Sequence, residues 1–156
     1  MVSERVRRLE VGGFTLIELI VVVAIMGILV AVGAPFLTTY YQARVLRAGA
    51  DEMFTILNSA RYQAIKQNTS ICVALSSNKV QYHVGGCGGA VWTGAGTNSA
   101  GFITLQNTME VSAATASVVF TNLGAASTGG TYTVRNPANA KTLTVTVAGS
   151  GRITIP

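Results

Sequence analysis

The chain is short of the groups that carry chemistry. Past residue 13 its only acids are Glu18, Asp51, Glu52 and Glu110, and His83 is its one imidazole. No spacing among them builds a triad or a pair of carboxylates, which excludes the common acid–base and nucleophilic designs. Neither an enzyme nor a cofactor is expected. Two cysteines and one histidine fall short of a four-ligand metal set, and no Cys-x-x-Cys spacing occurs, so no metal site is expected. The glycines flanking Cys87 (Gly85-Gly86 and Gly88-Gly89) imitate a phosphate loop, but no Lys-Ser/Thr pair or helix start follows them. They read as a flexible turn. Charged residues are 11% of the chain, with a formal excess of +5. A basic excess of this size bears on field and solubility, and permits contact with acidic polymers without specifying one.

What the chain does have is a long apolar run, Phe14 to Leu37, interrupted by one acid, Glu18. Crossing a hydrocarbon layer takes about 20 helical residues, so the run is long enough for a membrane anchor. It is preceded by a basic leader, 1–13, with Arg5, Arg7 and Arg8. In a secretory signal the cleavage site follows the apolar segment, which is then discarded. Here the small residues Gly12 and Gly13 come before it, so cleavage would remove the charges and keep the anchor. The leader carries three Arg and two Glu, so its loss takes the formal charge from +5 to +4. Basic residues beside a span stay cytoplasmic, which sends the rest of the chain outward.

Gly13-Phe14-Thr15-Leu16-Ile17-Glu18-Leu19 resembles the signal of type IV prepilins and type II secretion pseudopilins. That resemblance implies cleavage after Gly13 by a prepilin peptidase, methylation of the new amine on Phe14, and a structural role in a filament. A carboxylate in a bilayer costs about 2.5 to 3.5 kcal/mol at mid-depth, so Glu18 needs a reason to be there. In the family the reason is assembly: the glutamate pairs with the amine of a neighbouring subunit's first residue. A plain anchor whose Glu18 snorkels to the surface is the other reading. The resemblance further implies an inner-membrane, single-pass subunit with its amino terminus cytoplasmic and its head periplasmic. Its partners would be membrane lipid first, then an inner-membrane assembly platform and other pilin or pseudopilin subunits.

Gly27, Gly33 and Pro35 interrupt the helix pattern. Proline lacks the donor and clashes one turn back, which predicts a kink or loosening before Pro35. Related pili are partly unwound in this stretch; a simple bend at the membrane surface is the alternative. From Thr38 to Asn68 the pattern is an amphipathic helix, with Leu46, Ala50, Met53, Leu57, Ala60 and Ala64 on one stripe. Arg47, Asp51, Asn58, Arg61 and Gln67 fall on the other side, and Arg47 and Asp51 are spaced for a weak ion pair.

Residues 69–156 read as a β-rich head. Strands are expected at 71–75, 80–84, 102–105, 118–121, 131–135, 142–147 and 152–155, between Gly, Ser and Asn clusters. Thr142 to Val147 alternates strictly, as a half-solvated antiparallel strand does, and the last three strands read as a meander. Trp92, among glycines, suits a core plug or loop anchor. The fold class is α+β: a long amino-terminal helix packed on a small antiparallel sheet. Cys72 and Cys87, both in the exported part, favour one disulfide over a metal site.

The helix end Asn58 to Asn68, the following Ile71-Cys72-Val73, and Val119-Phe120 through Gly151-Arg152-Ile153 resemble the GspH/FimT group. This implies a minor pilin or pseudopilin that primes a filament near its tip. Pro35 and the Thr/Gly-rich head lean toward a pilus over a secretion machine. Some FimT proteins bind DNA through a carboxyl-terminal Gly-Arg-x-Arg. Here Gly151-Arg152-Ile153-Thr154 keeps only the first arginine. DNA contacts from Arg152, Lys141 and Arg135 are therefore the less favoured alternative.

Overall fold

The computed structural model describes residues 13–106, 108–113 and 117–156; the leader with Arg5, Arg7, Arg8 and Gly12 lies outside the described residues. One helix, α1, runs Leu16–Lys66. The chain falls into two compact units, one ending at Thr39 and the other, the head, Tyr40–Pro156.

Both ends of α1 are capped by their own sequence. Thr15 is the N-cap, its Oγ1 accepting the N–H of Glu18 at 3.3 Å. Thr15-x-x-Glu18 is the spacing of a capping box, and an acid in the first turn also suits the helix dipole. At the other end Asn68 adopts φ 49°. The N–H of Thr69 then reaches the carbonyl of Ala64 at 3.1 Å and that of Asn68 reaches Ile65 at 3.2 Å. These two bonds are a Schellman closure, with Asn supplying the left-handed residue.

Ten strands follow among the described residues: β1 (Ile71–Ser76), β2 (Lys79–Val84), β3 (Ala90–Val91), β4 (Phe102–Ile103), β5 (Glu110–Ala113), β6 (Val118–Phe120), β7 (Ala126–Thr128), β8 (Gly130–Arg135), β9 (Thr142–Val147) and β10 (Ile153–Thr154). They form two antiparallel sheets where one was expected. The first has the order β3-β2-β1-β6-β7, with β4 also on β2; the second is β10-β9-β8-β5. The expected closing meander is present as β8-β9-β10. The expected strand at 102–105 stops at Ile103, because beyond it backbone groups turn to other partners: the N–H of Gln106 donates to Glu52 Oε2 at 2.9 Å.

The predicted helix stripe is the buried face of α1: Leu46, Ala50, Met53, Leu57, Ala60 and Ala64 join Gly49 and Ile56 in the core. Small residues bring the helix close to the sheets. A side chain at Gly49 would meet Met109 Cγ at 2.8 Å and Val134 Cγ1 at 3.2 Å. Opposite lie Ile71, Val73, Val80, Val118, Phe120, Val134 and Val145. Two buried tyrosines tie the layers. Tyr82 donates to the carbonyl of Ile56 on α1 at 2.6 Å. Tyr132, on β8, donates to the carbonyl of Val73 on β1 at 2.8 Å and accepts the N–H of Val118 at 3.1 Å. Burial raises both phenols above their ordinary range, Tyr132 to about 12; in Tyr82 the neighbouring Tyr132 adds to the effect. Trp92 is the loop anchor expected, its ring centroid 5.7 Å from that of Tyr82.

Candidate assembly site

The described part of the first unit is almost wholly helix, the amino-terminal portion of α1. Its large apolar side chains from Leu16 to Leu37 are exposed, and the helix that holds them is long and apolar enough to cross a membrane. Phe14 precedes the Thr15 cap and Glu18 ends the first turn, so the residues expected to serve processing and assembly sit within one turn of one another. Helical structure continues through Gly27, Gly33 and Pro35. The weakness at Pro35 takes the form of one missing bond inside an unbroken helix, since Pro35 has no N–H to offer the carbonyl of Ala31. Its own carbonyl accepts the hydroxyls of Thr38 and Thr39, both at 3.0 Å. Back-bonding of this kind is associated with helix bending.

In the head, Cys72 and Cys87 are bonded, closing a loop over β2. Cys72 is buried beside His83, its cross-strand partner in the ladder. His83 sits on β2 with Nδ1 3.1 Å from the carbonyl of Gly89.

Of the three cations considered for DNA, Arg135 and Lys141 lie at the same end of the β8–β9 hairpin, where Arg135 pairs with Thr142, and Arg152 does not join them. Arg135 is committed to Glu110, Nη1 to Oε2 at 3.1 Å. Lys141 stands at the start of β9 and Arg152 at the turn beyond its end. Six strand residues separate them, roughly 20 Å. Gly151, in the Gly-Arg element, has a structural reason of its own: φ is +80°, and a side chain there would strike the carbonyl of Gly124.

A groove of about 480 Å³ lies between α1 and the Trp92 loop, lined by Thr55, Ser59, Tyr62, Trp92 and Ile103 among others. None of its lining residues is an acid, a histidine or a lysine; Tyr62 and Tyr82 contribute its phenols.

Sequence reasoning missed the situation of Arg61. The helical period puts it on the solvated side, yet its Nε is buried and lacks an acceptor among the described residues. The turn at Gly124 closes over it, a side chain at that glycine coming within 3.1 Å of Nε. A local pattern cannot register a turn 63 positions away along the chain.

Comparison with known proteins follows the same division. Residues 10–34 match the prokaryotic N-terminal methylation motif, and residues 49–151 match the type II transport protein GspH. The type IV minor pilin FimU of Pseudomonas aeruginosa has a similar structure, with TM-score 0.53 and 20% identity over 75% of this chain and 92% of that one. So does the minor pseudopilin EpsH of the Vibrio cholerae type 2 secretion system, with TM-score 0.54 and 11% identity over 71% of this chain and 95% of that one. At these identities the two structures establish the fold. No curated protein sequence matches the chain. The GspH match spans the greater part of the sequence, and with the methylation motif ahead of it the chain belongs to the GspH family, as a membrane-anchored minor pilin or pseudopilin of a type IV filament system.

Proposed function

We propose that this subunit is cut after Gly13 by a prepilin peptidase and methylated at Phe14, and that it primes a type IV filament near its tip. It waits in the inner membrane as a single-pass protein with its head in the periplasm. An assembly platform then draws it into the filament among other pilin-like subunits, and we favour a pilus over a secretion machine. The observation that carries this reading is Glu18, the one acid in the apolar run, held in the first turn of its helix by the Thr15 cap.

The physics of extraction follows from that placement. Cleavage leaves a positive amine next to the positive end of a helix dipole, an unfavourable neighbour. Glu18 lies within a turn of it and offsets part of the cost. In a bilayer an ion pair between Glu18 and the amine of an adjacent subunit removes two poorly solvated charges at once, which favours filament over lipid. Pro35 and the glycines at 27 and 33 are where the helix yields when subunits pack. Intact-mass measurement of the membrane form tests the first step. A mature chain starting at methylated Phe14 is expected in wild type, and Gly13→Val should retain the leader. A mature chain starting elsewhere would overturn it.

A further inference from the structure

We propose that Cys87 Sγ is the point at which an outside thiol enters the Cys72–Cys87 bridge while the head stays folded, and that the partner bringing it is a dithiol oxidoreductase.

The two halves of the bridge differ in situation. Strand residues alternate between faces, so Cys72 points away from Ile71 and Val73, which belong to the core. It sits on the central strand of its sheet, with His83 beside it on β2 and Val119 on β6, and it is 0% exposed. Cys87 is exposed. The loop that carries it leaves room around it: a side chain built at Gly85, Gly86 or Gly88 would meet nothing within 4 Å. Thiol exchange begins with a thiolate reaching one sulfur of the disulfide, and access helps decide which sulfur that is. The attacking sulfur comes in line with the S–S bond, from the side opposite the leaving sulfur. Cys87 can be met in this way from water, and Cys72 cannot.

The sheet does not depend on the bridge to hold its strands. β1 is paired with β2 from Ile71 to Ser76 and with β6 from Ile71 to Val73. The loop itself is tied at few points: the N–H of Gly85 donates to the carbonyl of Ser70 at 2.7 Å, that of Gly89 to Gly86 at 3.0 Å, and the two residues of β3 pair with β2. A segment with so few anchors opens locally at a small fraction of the cost of unfolding the head. In the reducing direction the partner's thiolate bonds to Cys87 Sγ, the S–S bond breaks, and Cys72 leaves as a thiolate that takes a proton from water. The partner's second thiol then attacks its own sulfur in the mixed disulfide and frees Cys87 as a thiol. The bridge has gained two electrons and the partner's dithiol has become a disulfide. Oxidation is the reverse, with Cys72 closing the bridge. The second thiol is what selects the partner. A lone thiol on Cys87 would be expelled again by Cys72, which stays beside it at high effective concentration, whereas a second thiol on the partner competes on the same intramolecular terms.

The test uses the oxidised full chain in detergent and, as probe, a thioredoxin-type protein whose second active-site cysteine is replaced by serine, so that exchange stops at the mixed disulfide. Reactions are quenched early in acid, digested with pepsin, and the linked peptides sequenced. The expected product, formed without denaturant, joins the probe to Cys87 and leaves Cys72 as a free thiol. A product on Cys72, equal amounts on both, none at all, or one formed only in denaturant would each overturn the proposal. Charge gives a second measurement. Gly88 has no positive φ and open space on its side-chain side, so it accepts a side chain. With glutathione, an anionic thiol, at low salt, Gly88→Lys should be reduced several-fold faster than Gly88→Glu, and the difference should shrink as salt is added. Equal rates in the two variants would move the point of attack away from Cys87 and overturn the proposal.

Discussion

The hydroxyl of Tyr132 donates to the carbonyl of Val73 at 2.8 Å, joining the second sheet of the head to the central strand of the first. The same oxygen accepts the N–H of Val118 at 3.1 Å, so one phenol completes two buried backbone groups on neighbouring strands. Tyr132→Phe keeps the ring and removes both bonds. An unsatisfied buried group costs about 1 to 3 kcal/mol. Thermal unfolding of the full chain in detergent should therefore move down by several degrees, with far-ultraviolet dichroism at low temperature unchanged. An unaltered melting point would remove the hydroxyl from the account of how the two sheets are held.

The same burial predicts a response to alkali. Tyr132 ionises only near pH 12 in the folded head, and Tyr82 is raised further. In the unfolded chain both phenols ionise near 10. Their contribution is complete below pH 10 and is lost as pH rises from there through about 12, because only the unfolded state then releases the proton. Denaturant midpoints should be flat from pH 7 to 9 and fall above 10. The fall should be shallower in Tyr132→Phe. A midpoint that declines equally in both proteins would contradict the assignment.

The disulfide should matter to this small head. Cys72 and Cys87 are 15 positions apart, for which the chain-entropy estimate is about 3 kcal/mol. The Cys72→Ala, Cys87→Ser double variant should melt several degrees lower, and thiol titration of native protein should find no free cysteine. Reactive thiols in freshly isolated protein would count against the bridge as the native form.

Much of this fold is written locally. Thr142 to Val147 alternates so regularly that its limits as β9 coincide with those read from sequence, and the stripe from Leu46 to Ala64 identifies the buried face of α1. Strands β3, β5 and β7 were not legible. Ala90–Val91 is too short to show a period, and Glu110–Ala113 and Ala126–Thr128 have weak alternation and owe their structure to pairing with β8 and β6. Division into two sheets is likewise a property of long-range pairing. At the amino terminus, Glu18 stands out because a charge in an apolar run is costly, whereas the cap at Thr15 becomes evident only with the helix start located. Arg61 was misread for the opposite reason: its surroundings come from a turn that periodicity cannot see.

Close packing at Gly49 gives a prediction of a different kind. Gly49→Val would drive side-chain atoms into Met109 and Val134. Overpacking of this sort typically costs about 1 to 3 kcal/mol. Anchoring and processing should be untouched, since residues 13–39 form their own unit. A variant with normal mature mass but a lowered melting point is expected, and unchanged stability would show that the helix can shift outward at no cost.

If Glu18 drives this subunit from lipid into filament, Glu18→Leu should separate membrane insertion from assembly. Replacing the carboxylate removes a membrane penalty and a charge partner together. The variant should be processed and accumulate in the membrane at wild-type level or above. Its recovery in sheared filaments, measured by quantitative blotting against the wild type, should fall to a small fraction. Glu18→Leu protein recovered from filaments in the wild-type amount would contradict the account.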